Sequence, residues 1–133
     1  MLYMLDTNIC VYIAKQRPPN VLARFNQLQP GDAVISVVTY GELRFGAEKS
    51  SRAETTLLNL RKFVAEVPVV PLATEAAEHY GRLHFLLGRT GQIIGNNDLW
   101  IASHCLQLGL TLVTNNEREF KRIPNLPIEN WTH

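Results

Sequence analysis

The chain opens with the stretch Leu2-Tyr3-Met4-Leu5-Asp6-Thr7-Asn8, an apolar run that ends in a carboxylate. A second run, Ala33-Val34-Ile35-Ser36-Val37-Val38, leads in the same way towards Glu42. Near-continuous apolar runs are typical of parallel strands that are buried on both faces of a sheet. If these two runs are neighbouring parallel strands, their ends meet at one edge of the sheet, where open α/β folds place their sites.

The rest of the chain alternates between strand-like and helix-like segments. We predict strands at about 2–5, 33–38, 67–72, 110–114 and 126–129. We predict helices at roughly 7–16, 20–28, 52–66 and 74–89, from apolar stripes at helical spacing and from the prolines that separate the first two. The pattern indicates one α/β domain over residues 1–133, a parallel central sheet flanked by helices in an α/β/α sandwich. The loop at about 89–97 lacks the Gly-Lys-Ser/Thr ending of a phosphate-binding loop, so we expect a simple connector.

The composition is that of an ordinary soluble globular protein. The 133 residues are 46% hydrophobic and 19% charged, and no window approaches the roughly 18 unbroken apolar residues of a membrane span. Asp6 interrupts the apolar start, which does not resemble a signal peptide. The two cysteines, Cys10 and Cys105, match no metal-binding spacing, so we expect reduced core thiols in a cytoplasmic protein.

The acidic residues at the ends of these runs form a candidate metal site. Asp98 opens a further apolar stretch, and the run before Thr114-Asn115-Asn116 is followed closely by Glu119. Carboxylates gathered at one edge of a sheet need a cation to offset their mutual repulsion. Oxygen donors without a Cys/His cluster favour Mg²⁺ or Mn²⁺ over zinc.

Each acid also has a structural explanation. Asp6 and Asp98 could be helix N-caps, and Thr39-x-x-Glu42 and Thr114-x-x-Glu117 have the form of capping boxes. Glu119 could pair with Arg122 at helical spacing. If these residues were only helix caps, we would expect Ser, Thr, Asn and Asp to occur interchangeably at the helix starts. Instead, the ends of three predicted elements carry carboxylates. A shared metal site is therefore the favoured interpretation, and ionised caps are compatible with it.

The net charge of +1 gives little indication of a nucleic-acid partner, but the distribution of charged residues is more informative. Setting aside Asp6, Glu42 and Asp98 leaves 13 basic residues against the nine acids that remain of 12. A basic surface around one acidic hole suits a polyanionic substrate with one reactive phosphate. Charge alone favours the plainer explanation, that these cations lie on solvated helix faces.

Four motifs together resemble the PIN-domain ribonucleases, and more narrowly the VapC toxins of bacterial type II toxin–antitoxin systems. The resemblance runs from about residue 1 to 131 in the order and spacing of that family. The motifs are Met4-Leu5-Asp6-Thr7-Asn8, Ser36-Val37-Val38-Thr39-Tyr40-Gly41-Glu42-Leu43, Asn97-Asp98-Leu99-Trp100-Ile101-Ala102 and Leu112-Val113-Thr114-Asn115-Asn116-Glu117-Arg118-Glu119-Phe120.

The resemblance implies a Mg²⁺- or Mn²⁺-dependent endoribonuclease that hydrolyses RNA phosphodiester bonds and so inhibits translation. It implies one or two metal ions on Asp6, Glu42 and Asp98, a homodimer, and a VapB-type antitoxin that inhibits the toxin and represses their shared operon. Relatives with the same Thr-Asn-Asn ending resemble toxins that cut transfer RNA at the anticodon loop.

The chain departs from the family near Thr114, where many members carry a further acid and this chain has Asn115 and Asn116. Asn116 would then be a neutral ligand or water-orienting group, and Glu119 the fourth catalytic carboxylate. The full set of expected site residues is the catalytic Asp6, Glu42, Asp98 and Glu119, the supporting Thr7, Asn8, Thr114 and Asn116, and the RNA-binding Lys15, Arg17, Arg44, Arg118 and Lys121.

Two other classes of protein remain open from the residues alone. A phosphoacceptor signalling domain also has an acidic pocket at strand ends, but it requires two adjacent acids after its first strand. A PIN-like binding module that has lost catalysis would explain the missing fourth acid. Metal-dependent RNA cleavage separates the binding module from the enzyme.

Overall fold

The computed structural model describes residues 1–133 and contains a five-stranded sheet flanked by seven helices. The strands are β1 (Tyr3–Leu5), β2 (Ala33–Ser36), β3 (Val69–Val70), β4 (Thr111–Val113) and β5 (Ile128–Glu129). The helices are α1 (Thr7–Ala14), α2 (Pro19–Asn26), α3 (Val37–Glu48), α4 (Ala53–Glu66), α5 (Thr74–Arg89), α6 (Asn96–Leu108) and α7 (Glu117–Phe120). The strand order is β3-β2-β1-β4-β5 with every neighbouring pair parallel, which confirms the predicted fold class.

Each of the five predicted strands is present, but each is shorter than its apolar run. The largest shortening is at β3, and at β2 the residues Val37 and Val38 begin α3 instead of extending the strand. Ser36 causes the switch, because its side chain accepts a hydrogen bond from the Val38 backbone N–H (3.1 Å) and caps the helix. The predicted helix at 74–89 coincides with α5, and α1 and α2 each end two residues earlier than expected.

The central strand β1 separates two hydrophobic cores. Met4 and Leu5 are both fully buried, and because successive strand residues point to opposite faces, they belong to different cores. Met4 packs in the core under α5 and α6, and Leu5 packs in the core that includes Trp131. A strand buried on both faces explains why its sequence is apolar without alternation.

The connector after α5 is shorter than predicted. Helix α6 begins at Asn96, so Asn96 and Asn97 belong to a helix and not to the loop. Cys10 and Cys105 are both buried free thiols, as expected. None of the seven helices is long and apolar enough to cross a membrane.

Candidate active site

Asp6 lies at the carboxyl end of the central strand and is 95% buried, with 5% of its surface exposed. It is the N-cap of α1, and its Oδ1 accepts a hydrogen bond from the Ile9 backbone N–H (3.0 Å). Its Oδ2 accepts one from the Thr114 hydroxyl (2.5 Å), which follows the neighbouring strand β4. Burial raises the pKa of Asp6, while these two hydrogen bonds oppose the rise. The capping role is confirmed, and it holds the carboxylate rigidly at the edge of the sheet.

Glu42 lies in the interior of α3, so the predicted capping box with Thr39 is wrong. Thr39 is also inside the helix, because Ser36 is the cap. One oxygen of Glu42 accepts a hydrogen bond from the Thr7 hydroxyl (2.5 Å), and the other accepts one from the Asn97 amide (3.4 Å). Glu42 thus reaches from α3 to the first turns of both α1 and α6.

Asp98 lies in the first turn of α6 but does not cap it, because Gly95 occupies the N-cap position. The prediction of Asp98 as a cap is therefore wrong. Burial raises the pKa of Asp98, the negative charges of Glu42, Glu119 and Asp6 add to the rise in that order of effect, and together they bring it to about 6. The other three predicted acids are therefore close enough to Asp98 to act on its charge.

The segment after β4 is arranged differently from the predicted capping box. The Thr114 hydroxyl accepts from the Asn116 backbone N–H (2.9 Å), and α7 begins only at Glu117. Glu117 instead accepts a hydrogen bond from Asn130 (3.1 Å) on the C-terminal segment. The predicted Glu119–Arg122 ion pair is absent, since Arg122 donates to the Ile93 carbonyl (3.0 Å). Glu119 is left free to join the other acids.

The donors at this site fit a hard divalent cation. Four carboxylates converge, hydroxyl and amide groups hold two of them in place, and no cysteine or histidine takes part. No group of three or more His, Cys, Asp or Glu side chains is arranged closely enough to hold a metal ion by itself. Mg²⁺ does not require such a group, because it is usually held by one or two carboxylates with several waters. The raised pKa of Asp98 identifies a carboxylate whose charged form a cation would stabilise.

The predicted RNA-binding residues are all exposed, but they differ in their partners. Arg44 forms an ion pair with Glu48 (2.8 Å) one helical turn away. The other four make no ion pair with a protein carboxylate, and these are Lys15, Arg17, Arg118 and Lys121. Of the predicted supporting residues, Asn8 presents its backbone to Asp6 while its side chain is exposed.

Two contacts at the site were not anticipated from the sequence. Asn97 holds Glu42, and its position beside Asp98 was the available signal. Asn115 donates to the Tyr12 hydroxyl (2.6 Å), and no local pattern links two residues that are 103 positions apart. The Asn115 side chain therefore contacts Tyr12 and does not take the place of the further acid that many family members carry near Thr114.

Known proteins are similar to this chain over nearly its whole length. The family model described as "PIN domain" matches residues 3–126. A protein named ribonuclease VapC2 from Haemophilus influenzae is 42% identical over 129 residues, 97% of each chain. A protein named tRNA(fMet)-specific endonuclease VapC from Shigella flexneri is 43% identical over 130 residues, 98% of each chain. A crystal structure of VapBC2 from Rickettsia felis, bound to a DNA fragment from their promoter, contains a chain that superposes with a TM-score of 0.91. That chain is 42% identical, and the match covers 98% of this chain and 99% of the other.

Proposed function

This chain belongs to the PIN-domain family and, within it, to the VapC ribonuclease toxins of VapBC toxin–antitoxin systems, and we propose that it cleaves RNA with Mg²⁺ or Mn²⁺ held by Asp6, Glu42 and Asp98. The observation that carries this proposal is the convergence of four carboxylates at the carboxyl edge of a parallel sheet, where Glu42, Glu119 and Asp6 all raise the pKa of Asp98. Cations on the surrounding surface suit a phosphodiester substrate.

The side chains divide the work of hydrolysis between them. Asp6 is fixed by Thr114 and the α1 backbone, and Glu42 is fixed by Thr7 and Asn97, so both ligands are oriented in advance. Asp6, Glu42 and Asp98 would hold a divalent cation, which when bound would supply an activated water and offset negative charge on the phosphate.

The remaining groups act on the attacking water and the leaving oxygen. Glu119 orients the water and accepts its proton, with Asn116 beside it as a neutral partner. Attack of the water oxygen at phosphorus forms the new P–O bond and breaks the bond to the 3′-oxygen, which takes up a proton from solvent water. The products therefore carry a 5′-phosphate and a 3′-hydroxyl.

We propose transfer RNA, cut in its anticodon loop, as the substrate, with inhibition of translation as the consequence. Support comes from the Shigella relative, whose name specifies tRNA(fMet). A loop presents unstacked bases that a protein can read, whereas the deep groove of duplex RNA is too narrow for side chains. Lys15, Arg17, Arg44, Arg118 and Lys121 would contact phosphates on either side of the scissile bond. The two buried free thiols suit a cytoplasmic location.

The proposed protein partner is a VapB-type antitoxin that covers a cleft between α1, α3 and α4. The cleft has a volume of about 390 Å³, is lined by apolar side chains such as Leu43, Leu60 and Phe63, and reaches Glu42 at one end. An occupant would therefore block the acids directly. Phe45, also on α3, is 66% exposed and adds a second apolar group to the surface of that helix. We also propose a homodimer, supported by exposed apolar residues on and after α5, namely Phe85, Leu86 and Ile93.

The test of this function is cleavage of a purified transfer RNA pool with Mn²⁺, followed by sequencing of the new ends. We expect cuts confined to one anticodon loop, loss of all cuts in Asp6→Asn, and inhibition by the co-expressed antitoxin. Cuts scattered over many RNAs would contradict the proposed target. RNA binding without any cleavage would instead identify the catalytically impaired binding module.

A further inference from the structure

A cleft of about 450 Å³ with polar and charged residues in its walls lies alongside α1, near the candidate active site, and borders the apolar cleft described above at Val11 and Lys15. Its walls come from the second half of α1, the turn after it, the residue that follows Thr114, and the C-terminal segment. The polar and charged side chains that line it are Tyr12, Lys15, Arg17, Asn115 and Thr132. Two of them are cations, and no carboxylate lines the cleft.

The cleft is connected to the catalytic acids by two short links. Asn115 donates to the Tyr12 hydroxyl (2.6 Å), and its neighbour Thr114 donates to Asp6 (2.5 Å). Asp6 also caps α1, the helix that carries Tyr12 six residues later. At a rise of 1.5 Å per residue, Tyr12 is displaced by about 9 Å from Asp6 along the helix axis. A substrate bound at the acids would extend into this cleft.

Two features of the cleft match a ribonucleotide. Lys15 and Arg17 form no ion pair, so both charges are available to a phosphate. Asn115 uses its amide N–H on Tyr12, which leaves the Tyr12 hydroxyl hydrogen and the Asn115 carbonyl oxygen without protein partners. A donor and an acceptor thus lie side by side, which is the arrangement that a ribose 2′-hydroxyl, itself both donor and acceptor, can satisfy.

We propose that this cleft is a ribonucleotide subsite that holds a nucleotide next to the scissile phosphate. Its phosphate contacts Lys15 and Arg17, and its 2′-hydroxyl contacts Tyr12 and Asn115. The inference rests on the proposed function, since the RNA bound here is the substrate of the acids. It also gives Asn115 a role that an acid could not fill, because a carboxylate there would repel the phosphate.

The test is binding of single-stranded RNA and DNA oligonucleotides of one sequence, measured by fluorescence anisotropy in EDTA so that neither is cut. Wild type should prefer RNA. Tyr12→Phe, which keeps the ring, and Asn115→Ala should each lower RNA affinity about fivefold and leave DNA affinity unchanged.

A charge-removal pair tests the phosphate contacts. Lys15→Ala/Arg17→Ala should weaken RNA and DNA alike about tenfold and flatten the slope of log affinity against log salt by about 1.4, the value for two single-strand phosphate contacts. The matched control is Arg61→Ala/Lys62→Ala on the exposed face of α4, which removes the same charge away from the cleft. The control should bind close to wild type.

Several results would overturn the subsite. The first is an equal loss of RNA and DNA affinity in both Tyr12→Phe and Asn115→Ala. The second is a charge-removal pair that binds RNA and DNA as well as its α4 control does. The third is displacement of RNA by an acidic peptide but not by a nucleoside monophosphate. The last would assign the cleft to a protein segment. Cleavage with Mn²⁺, measured in parallel, separates the two proposals. Wild type that cuts RNA with all cleft variants unchanged rejects the subsite alone, whereas wild type that neither binds nor cuts RNA rejects the proposed function.

Discussion

Replacing Asp98 by Asn should stabilise the metal-free protein while abolishing its activity. The pKa of Asp98 is raised from 3.8 to about 6 by burial and by Glu42, Glu119 and Asp6, so its ionised form disfavours the folded state. A shift of about two units corresponds to roughly 3 kcal/mol. Asp98 is only partly buried, and solvent screening reduces the expected gain from its neutral amide to about 1–2 kcal/mol at pH 7.5.

The sign of the pH dependence follows from the direction of the shift. The unfolded chain releases this proton near pH 3.8 and the folded chain near pH 6. Between these values the unfolded state binds fewer protons, so wild-type stability falls as pH rises through that window. Asp98→Asn lacks this loss. The stability that the variant gains over wild type should therefore be absent below about pH 4 and complete above about pH 6.

Thermal melts from pH 3.5 to 8 in a chelator measure this difference. We expect Asp98→Asn to melt about 4–8 °C above wild type at pH 7.5 and to match it at pH 3.5. Added Mn²⁺ should raise the melting temperature of wild type more than that of the variant. The control is Glu78→Gln, an exposed carboxyl on α5 that forms no ion pair. A variant that melts below wild type at pH 7.5, or that keeps its RNA cleavage, refutes the reasoning.

Three further predictions concern Glu119 and residues near the acids. Glu119→Gln should lower the cleavage rate more than Asn116→Ala, with partial recovery at high Mn²⁺, and full activity in Glu119→Gln would make that residue a surface group. Thr114→Val removes a buried hydrogen bond that lowers the pKa of Asp6, so the free energy of unfolding should fall by about 1–3 kcal/mol. The fall should be larger at pH 7.5 than at pH 4, because the hydroxyl stabilises the ionised carboxylate. Equal losses of stability at the two pH values would contradict this electrostatic role. Arg118→Ala should flatten the salt dependence of RNA binding by about one unit, whereas Arg44→Ala should change it less because Arg44 is paired with Glu48; unchanged slopes in both would move the RNA path elsewhere.

The fold was predictable because its strands are marked by contiguous residues. The run before Asp6 forms the central strand, and buried parallel strands give an apolar pattern that needs no partner to be recognised. The start of α3 was missed because Val37 and Val38 continue the apolar run of β2, and β-branched residues favour strands. The only local signal for the helix start is the hydroxyl of Ser36, a single polar residue within that apolar run.

The composition of the candidate site was more predictable than its contacts. The convergence of Asp6, Glu42, Asp98 and Glu119 was expected from strand ends and motif spacing, and the other three acids all raise the pKa of Asp98. The hydrogen bonds that orient Glu42 join positions 35 and 55 residues apart in the chain. Such pairs arise from the packing of helices across the sheet edge, and a single sequence carries no local signal for them.

The central claim is that the gathered carboxylates hydrolyse RNA with a divalent cation. The most direct measurement is cleavage of a defined RNA by the purified protein with Mn²⁺ or with EDTA, combined with analysis of the new ends. The account predicts 5′-phosphate and 3′-hydroxyl ends with Mn²⁺, and no cleavage in EDTA or by Asp6→Asn. Cleavage that persists in EDTA, or ends that carry a 2′,3′-cyclic phosphate, would contradict it.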